Sequence, residues 1–586
     1  MESHEKVVEV LGGSRDLDHG QIEMQNTRVN GSRTSKPQLK DLDDLFPYIG
    51  EFGWYQRILF LLMIPYSFFF AFVYFSQIFM TIVPEEHWCF VPELANLTVE
   101  ERRYLSIPMK DNSKYEKCHV YDVDWSKVLD TGVLTPDSNW PVKKCEQQWE
   151  YNYTDVPYET IASQLDWVCD RDNYAATAQS VFFCGSIIGG LIFGWVADKF
   201  GRVPAILGTN MAGFLAGVGT AFANSFWSFC LCRFLVGLAY DNCFMVMYIV
   251  VVEYVGPKWR TFVANMSIAV YFTFAACLLP WIALAVADWK MYTLITSVPL
   301  VLAIFTPCVV PESARWLISQ GRIDEALKIL KKFERINKKK IPDEIFKEFK
   351  DTATKIAKAE EEIRNYSFLD LFKTPRLRRH SLLLLVIWMS IAMVFDGHVR
   401  NVGSLGLDIF LTFTVATATE FPADVLLTLT LDIVGRRWLA FGSMLLSGIF
   451  SFLATTVPHG VPSATLAIIG RFAVNISFNI GMQYAAELLP TVVRAQGLAL
   501  IHITGYVATI LVPYIVYLAT ISPIIPLLIL GTIGIFGGCL CLCLPESLGK
   551  DMPQTLQDGE NYGKEQKFWD FPCFKRKNQV PVENRY

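Results

Sequence analysis

The feature that most constrains this chain is a series of twelve apolar runs, each long enough to cross a hydrocarbon core. A membrane helix needs about 20 predominantly apolar residues. Such runs lie near 58–83, 174–196, 203–222, 226–252, 262–287, 290–310, 381–401, 406–430, 437–457, 463–486, 496–520 and 523–544. Any one of them alone reads as a buried core helix. Twelve do not, because no soluble domain could cover so much apolar surface. Composition agrees: only 19% of the 586 residues are charged, against about 25% in soluble domains. The net charge of −5 carries no basic bias, which argues against nucleic acid as a partner. The expected fold class is all-α integral membrane, with twelve transmembrane helices in a lipid bilayer.

Lys and Arg set the expected orientation. Lys199, Arg202, Lys258, Arg260, Arg436, Arg437, Arg494 and a basic-rich loop at 312–380 fall on one set of connections. The short opposite connections, such as 222–226 and 457–463, carry almost no positive charge. The positive-inside rule places the first set in the cytoplasm, and an even number of spans places both termini there. The polar start shows no cleavable signal peptide, so targeting falls to the first span, and the expected location is the plasma membrane.

The expected organisation is a cytoplasmic leader at 1–57 and a first six-helix half at 58–310 that includes an outside loop at 84–173. A cytoplasmic linker at 311–380, a second six-helix half at 381–544 and a cytoplasmic tail at 545–586 follow. The outside loop holds Cys89, Cys118, Cys145 and Cys169. An oxidising compartment favours two disulfides among them, and three pairings are open. Sequons at Asn96 and Asn152 lie on the side where glycans are added, whereas those at Asn30 and Asn365 fall on the cytoplasmic side. The other cysteines sit in spans or near the C-terminus without metal spacing, so neither a metal nor a cofactor is expected.

An internal repeat organises the whole. Asp198, Gly201 and Arg202 follow the second span, and Asp432, Gly435, Arg436 and Arg437 follow the eighth. Glu253 and Arg260 follow the fourth, Glu487 and Arg494 the tenth. Pro311-Glu312-Ser313 ends the sixth and Pro545-Glu546-Ser547 the twelfth. One offset relates these pairs (432 − 198 = 487 − 253 = 494 − 260 = 545 − 311 = 234). Arg233 and Arg471 miss it, differing by 238. Two like halves form a cleft that rocking exposes to alternate sides. A Gly allows a tight turn between helices, an Asp suits a helix N-terminus, and an Arg can pair with Glu253 or Glu487 across the cytoplasmic face. Simple topology explains any single Arg; the repeated set favours gating.

These residues resemble the major facilitator superfamily and, within it, the organic cation, anion and carnitine (zwitterion) transporter family, over about 41–550. The marks are Asp43-Asp44-Leu45 with Gly50-Glu51-Phe52-Gly53 before the first span, the Cys-bearing loop closed by Asp166-Trp167-Val168-Cys169-Asp170, Pro311-Glu312-Ser313-Ala314-Arg315-Trp316-Leu317, Glu420-Phe421-Pro422-Ala423, and Tyr484-Ala485-Ala486-Glu487-Leu488-Leu489-Pro490-Thr491. Sugar porters share the two-half plan but usually lack the long loop and the leader motif. The resemblance implies secondary transport of a small organic ion. The chain departs from the family at two points: four loop cysteines rather than six, and Tyr506 where the family often places a charge.

Ionisable groups inside spans cost about 2.5–3.5 kcal/mol to insert, which marks them as site candidates. They include Asp241 beside Tyr240, Asp396 with Arg400 in the seventh span, Asp408, Glu420, and His502 one turn before Tyr506. Trp388 and Phe395 share one helical face and can hold an ammonium by cation–π attraction; core packing is the commoner role. Asn475, Asn479 and Gln483 line one side of the tenth span. With both signs and a histidine present, the set suits a zwitterion such as an amino acid, β-alanine or a carnitine-like compound. Asp241 or Asp396 would face the ammonium, and His502, Tyr506 or Arg400 the carboxylate. A facilitative organic cation carrier is the alternative, and a non-transporting sensor a remoter one. No clustered nucleophile or acid pair points to an enzyme, and no repeated filter to a channel. Sodium and the proton are the candidate coupling ions.

Overall fold

The computed structural model describes residues 42–566 and Trp569, apart from 112–113, 131, 133–134, 147 and 364–366. The Asn30 and Asn365 sequons lie outside the described residues. Twelve helical spans are present: Trp54–Met80, Cys169–Lys199, Arg202–Thr220, Phe226–Glu253, Pro257–Val286, Trp289–Val309, Pro375–Ser404, Ile409–Val434, Arg436–Thr456, Val461–Leu488, Arg494–Thr520 and Ile524–Cys541. Several reach beyond the apolar runs, because a helix continues past the hydrocarbon while its side chains turn polar. The seventh starts at Pro375, where a proline at the first helical position loses no hydrogen bond.

The tight turns after the second and eighth spans depend on glycine. Gly201 has φ of 111° and Gly435 of 92°, the left-handed region that side chains disfavour. A Cβ at Gly201 would also meet the Glu312 carboxylate at 2.5 Å.

Five spans break their helical pattern midway, the sixth through a 3-10 stretch at Val298–Phe305. The fourth is interrupted at Tyr240–Asp241, between Phe226–Ala239 and Asn242–Glu253. The fifth carries a π-helical stretch at Ser267–Phe272. The eighth breaks at Thr419, the eleventh at Ile510–Leu511. Pro513 in the first turn of the eleventh span's second segment cannot donate back across that break. Within a membrane such breaks occur where backbone lines a cavity or is covered by protein.

The long loop between the first two spans is a small folded unit. Its strands His87–Cys89 and His119–Tyr121 pair antiparallel with Trp149–Tyr151 and Val142–Lys144. Trp88, Leu94, Leu105, Val120 and Trp125 form its core. Of the three open pairings, the cysteines adopt Cys89–Cys145 and Cys118–Cys169. Asn96 is exposed. The Asn152 amide donates to Glu86 at 3.1 Å, and Glu86 is held below its ordinary pKa chiefly by its hydrogen bond from Arg103 and then by that from Asn152.

Candidate functional site

A cavity of about 140 Å³ lies at the level of the helix breaks. Phe70 and Tyr74 of the first span, Phe183 of the second, Tyr240, Asp241 and Phe244 of the fourth, and Phe272 of the fifth line one half. Trp388, Phe395 and Asp396 of the seventh span, Glu420 and Asp424 of the eighth, Asn475, Phe478 and Asn479 of the tenth, and His502 and Tyr506 of the eleventh line the other. The aromatic wall is continuous: Phe70 stacks on Tyr240 at 5.3 Å, Tyr240 meets Tyr506 edge-on at 5.8 Å, and Phe395 stacks on Phe478 at 4.3 Å. Trp388 stands in a notch made by two glycines. A Cβ at Gly505 would lie 2.6 Å from its indole nitrogen, and one at Gly481 2.9 Å from its ring. Its indole stacks on His502 at 5.9 Å.

Four carboxylates face this space, in two classes. Asp396 is occupied: Arg400 Nε donates to it at 2.9 and 3.1 Å, and the Tyr74 hydroxyl donates to it as well. Arg400 is buried over the rings of Phe183 and Tyr74, at 5.2 and 5.4 Å. Glu420 is likewise held by Arg471, 2.7 Å away. Asp241 and Asp424 have no guanidinium or ammonium partner among the described residues. Asp241 sees His502 Nδ1 at 3.6 Å and the Tyr506 hydroxyl; Asp424 accepts from the Asn479 amide.

The halves meet on the side of the long loop. There Ser180 donates to the Ile510 carbonyl at 2.8 Å, Tyr517 to Asp172 at 2.7 Å, and Tyr514 meets Thr177 at 3.2 Å. Phe79 stacks on Phe410 at 5.8 Å and meets Phe413 edge-on at 5.2 Å. On the opposite side, that of the linker, the Asn265 amide donates to Thr428 at 3.3 Å.

The repeated motifs form two clamps on the linker side, each within its own half. Glu312 accepts the backbone N–H groups of Arg202 and Val203 at 2.8 and 3.1 Å, satisfying orphan donors at the start of the third span. Glu546 does the same for Arg436 and Arg437, at 2.9 and 3.1 Å. Ser313 donates to Glu253, and Ser547 to Glu487. Arg202 bonds Asp198 at 2.7 Å and Arg436 bonds Asp432 at 2.9 Å. The geometry is a bundle of two like halves around a charged, aromatic central cavity.

The comparisons with known proteins agree. A family model described as "Sugar (and other) transporter" matches residues 148–556. A carcinine transporter of Drosophila melanogaster is 33% identical, over 94% of this chain and 83% of its own. Solute carrier family 22 member 1 of Bos taurus is 32% identical over 89% of this chain and 93% of its own. The chain belongs to the organic cation transporter family of the major facilitator superfamily. A β-alanine transporter of Drosophila melanogaster, 31% identical over 89% of both chains, is another relative. Among solved structures, the proton:xylose symporter XylE superposes with a TM-score of 0.55 over 87% of this chain and 99% of its own, at 16% identity, which speaks to the fold alone. This family member is thus a multi-pass membrane transporter of small organic substrates.

Several residues of this transporter sit differently from the expectation drawn from sequence. Gln483 does not line the cavity. It lies two turns beyond Asn475 toward the linker side, where its amide donates to Glu487 at 3.2 Å. Asp396 lines the cavity, but Arg400, one helical turn on, neutralises it. The Arg400 side chain is buried, 7% exposed. Arg260 does not pair with Glu253. With Arg315 it grips Asp43, ahead of the first span. Burial raises the Asp43 pKa, but the hydrogen bond from Arg260 and the charges of Arg315 and Arg260 outweigh that, leaving it below the ordinary value. Arg494 donates to the Leu489 carbonyl at 3.1 Å and the Arg437 side chain to the Leu542 carbonyl. Tyr240, Asp241, Trp388, Phe395, His502 and Tyr506 all reach the cavity. Asp424, Tyr74 and Phe70 were not singled out beforehand. Asp424 carries a readable signal, lying four residues after Glu420 and so on the same helical face. The two aromatics lie in a run of similar residues that gives no such cue.

Proposed function

We propose that this protein carries a small organic cation across the plasma membrane by alternating access, with the linker side in the cytoplasm and the long loop outside. The observation that carries this reading is the imbalance of charge in the cavity. Arg400 and Arg471 are each committed to a carboxylate, whereas Asp241 and Asp424 are left facing an aromatic-walled space without a guanidinium or ammonium partner. An ammonium between such carboxylates and rings gains both ionic and cation–π attraction. The cavity, about 140 Å³, is below the roughly 300–1,000 Å³ of drug-sized pockets, which favours a small amine. The relative named for carcinine supports the same class. The seal on the loop side reads as a state facing the cytoplasm.

A zwitterion is the second reading. His502 stands 3.6 Å from Asp241 and in its protonated form offers a carboxylate partner, and the β-alanine transporter is a relative. Uptake of labelled amines, β-alanine and anions, with and without sodium or a proton gradient, separates the two. Asp241→Asn should raise the half-saturation concentration for the transported cation about tenfold for each ~1.4 kcal/mol lost. Tyr506→Arg should suppress cation uptake through repulsion at Asp241's side of the cavity. Unchanged uptake profiles in both variants at equal surface expression would sink the assignment.

A further inference from the structure

On the linker side, where the seventh span begins and the twelfth ends, a second cavity of about 640 Å³ shares no lining residue with the central one. Its walls carry Arg376, Arg379, Arg437 and Lys564, with His380, against a single acid, Glu560. Glu560 is already engaged, accepting the backbone N–H groups of Arg376 and Leu377 at 3.0 and 2.9 Å. Among the described residues no carboxylate forms an ion pair with Arg376, Arg378, Arg379 or Lys564. This charge is therefore presented rather than consumed.

The cavity does not stop at the water boundary. It shares Pro375 and Arg379 with a groove between the seventh and twelfth spans, which runs over Leu382, Leu383, Val386, Phe536 and Leu540 and holds Arg378 at its head. Leu382 and Phe536 are 49% and 54% exposed, on helices that cross the bilayer. A strongly cationic pocket that opens into an apolar groove along membrane helices matches one kind of molecule: a negatively charged head on a hydrocarbon chain. Basic pockets between spans on the cytoplasmic side take anionic headgroups.

We propose that this site binds an anionic phospholipid of the linker-side leaflet, a phosphorylated inositol lipid best matching the number of cations. The headgroup occupies the space among Arg376, Arg379, Arg437 and Lys564, and one acyl chain lies against Leu382, Val386 and Phe536. The site meets the start of the helix that carries Trp388, Phe395 and Asp396 into the central cavity. Lipid here would hold the end of that helix to the tail segment bearing Glu560. The proposal rests on the orientation proposed above, with the linker side in the cytoplasm, and is independent of the substrate.

The test is binding of a fluorescent phosphatidylinositol bisphosphate to the purified full chain in phosphatidylcholine nanodiscs, with soluble inositol trisphosphate and inorganic phosphate as competitors. Each cation near the membrane surface contributes about fivefold in affinity, so Arg376→Gln/Arg379→Gln should weaken lipid binding about 25-fold. Arg376→Lys/Arg379→Lys should retain most of it, which separates lost charge from lost folding. Phe536→Ala/Leu540→Ala should weaken the lipid but leave the affinity for inositol trisphosphate unchanged. Full lipid affinity in the double Gln variant overturns the proposal. So does a soluble headgroup that binds as tightly as the lipid, because the groove would then contribute nothing.

Discussion

The two halves share a linker-side clamp, atom for atom in its backbone part, yet differ in how they treat their buried charges. Among the described residues, Arg202 of the first half forms an ion pair with Asp198 alone, whereas Arg436 of the second holds Asp432 and, at 3.1 Å, Glu487. Deeper in, Arg233 of the first half is 2% exposed and has no carboxylate partner among the described residues. Its Nε donates to the Gln77 side chain at 2.7 Å, and its guanidinium lies over Phe182 at 5.0 Å. Arg471 of the second half is as buried but is neutralised by Glu420. The lesson is that a repeat preserves the turns that shape helix ends, where geometry alone is needed, and lets the charge balance diverge. The second half neutralises its two interior arginines, Arg400 and Arg471, with its own carboxylates. The first half leaves Arg233 with neutral partners and Asp241 open to the cavity.

The largest expected effect follows from the buried guanidiniums. Glu420→Gln would leave Arg471 charged and uncompensated, a loss of about 3–5 kcal/mol. Gln77→Leu removes only one hydrogen bond to Arg233 and should cost about 1.5–3 kcal/mol. Thermal unfolding in nanodiscs should rank them in that order; the reverse ranking would break the contrast between the halves.

Next comes turnover. Arg436→Ala should slow transport about tenfold and Arg202→Ala about threefold, since a half-buried Arg–Glu contact is worth more than an exposed i,i+4 pair of ~0.3–0.5 kcal/mol. Substrate binding should persist in both. Equal turnover in the two variants at matched surface expression would mean that the extra Glu487 contact carries no weight.

A smaller effect belongs to the first half alone, where Asp43 fastens the leader to Arg260 and Arg315. Because the folded pKa of Asp43 is depressed, its contribution is present above the ordinary carboxylate value and is lost as pH falls through the lower folded value. Asp43→Asn should remove that contribution at neutral pH, increasing hydrogen exchange in 42–49 about tenfold, or ~1.4 kcal/mol of local opening. Exchange in 494–509 should not change.

The smallest effect concerns the inserted loop, again a first-half feature. Glycans are expected at Asn96 and Asn152, and an Asn96→Gln/Asn152→Gln variant should show no mobility shift on enzymatic deglycosylation. A residual shift would place another sequon on the loop side.

The sequence by itself determined the twelve spans, the two-half repeat and the short roster of polar residues inside the bilayer. These are one-dimensional signals: apolar runs of fixed length, a constant offset of motifs, and charges too costly to insert without a use. Helical spacing brought Tyr240, Asp241, Trp388, His502 and Tyr506 into consideration without showing which way they point. Only the tertiary structure decided which carboxylates are spoken for. Asp396 and Asp241 look alike in sequence; one has Arg400 a turn away and the Tyr74 hydroxyl from another span, the other a histidine 3.6 Å off. Helix rotation likewise sent Gln483 toward the linker side while Asn475 and Asn479 face inward. Pairing and rotation depend largely on contacts between different spans, from Arg471–Glu420, 51 residues apart, to Tyr74–Asp396, 322 apart. The balance of charge in the cavity is therefore a property of the assembled bundle.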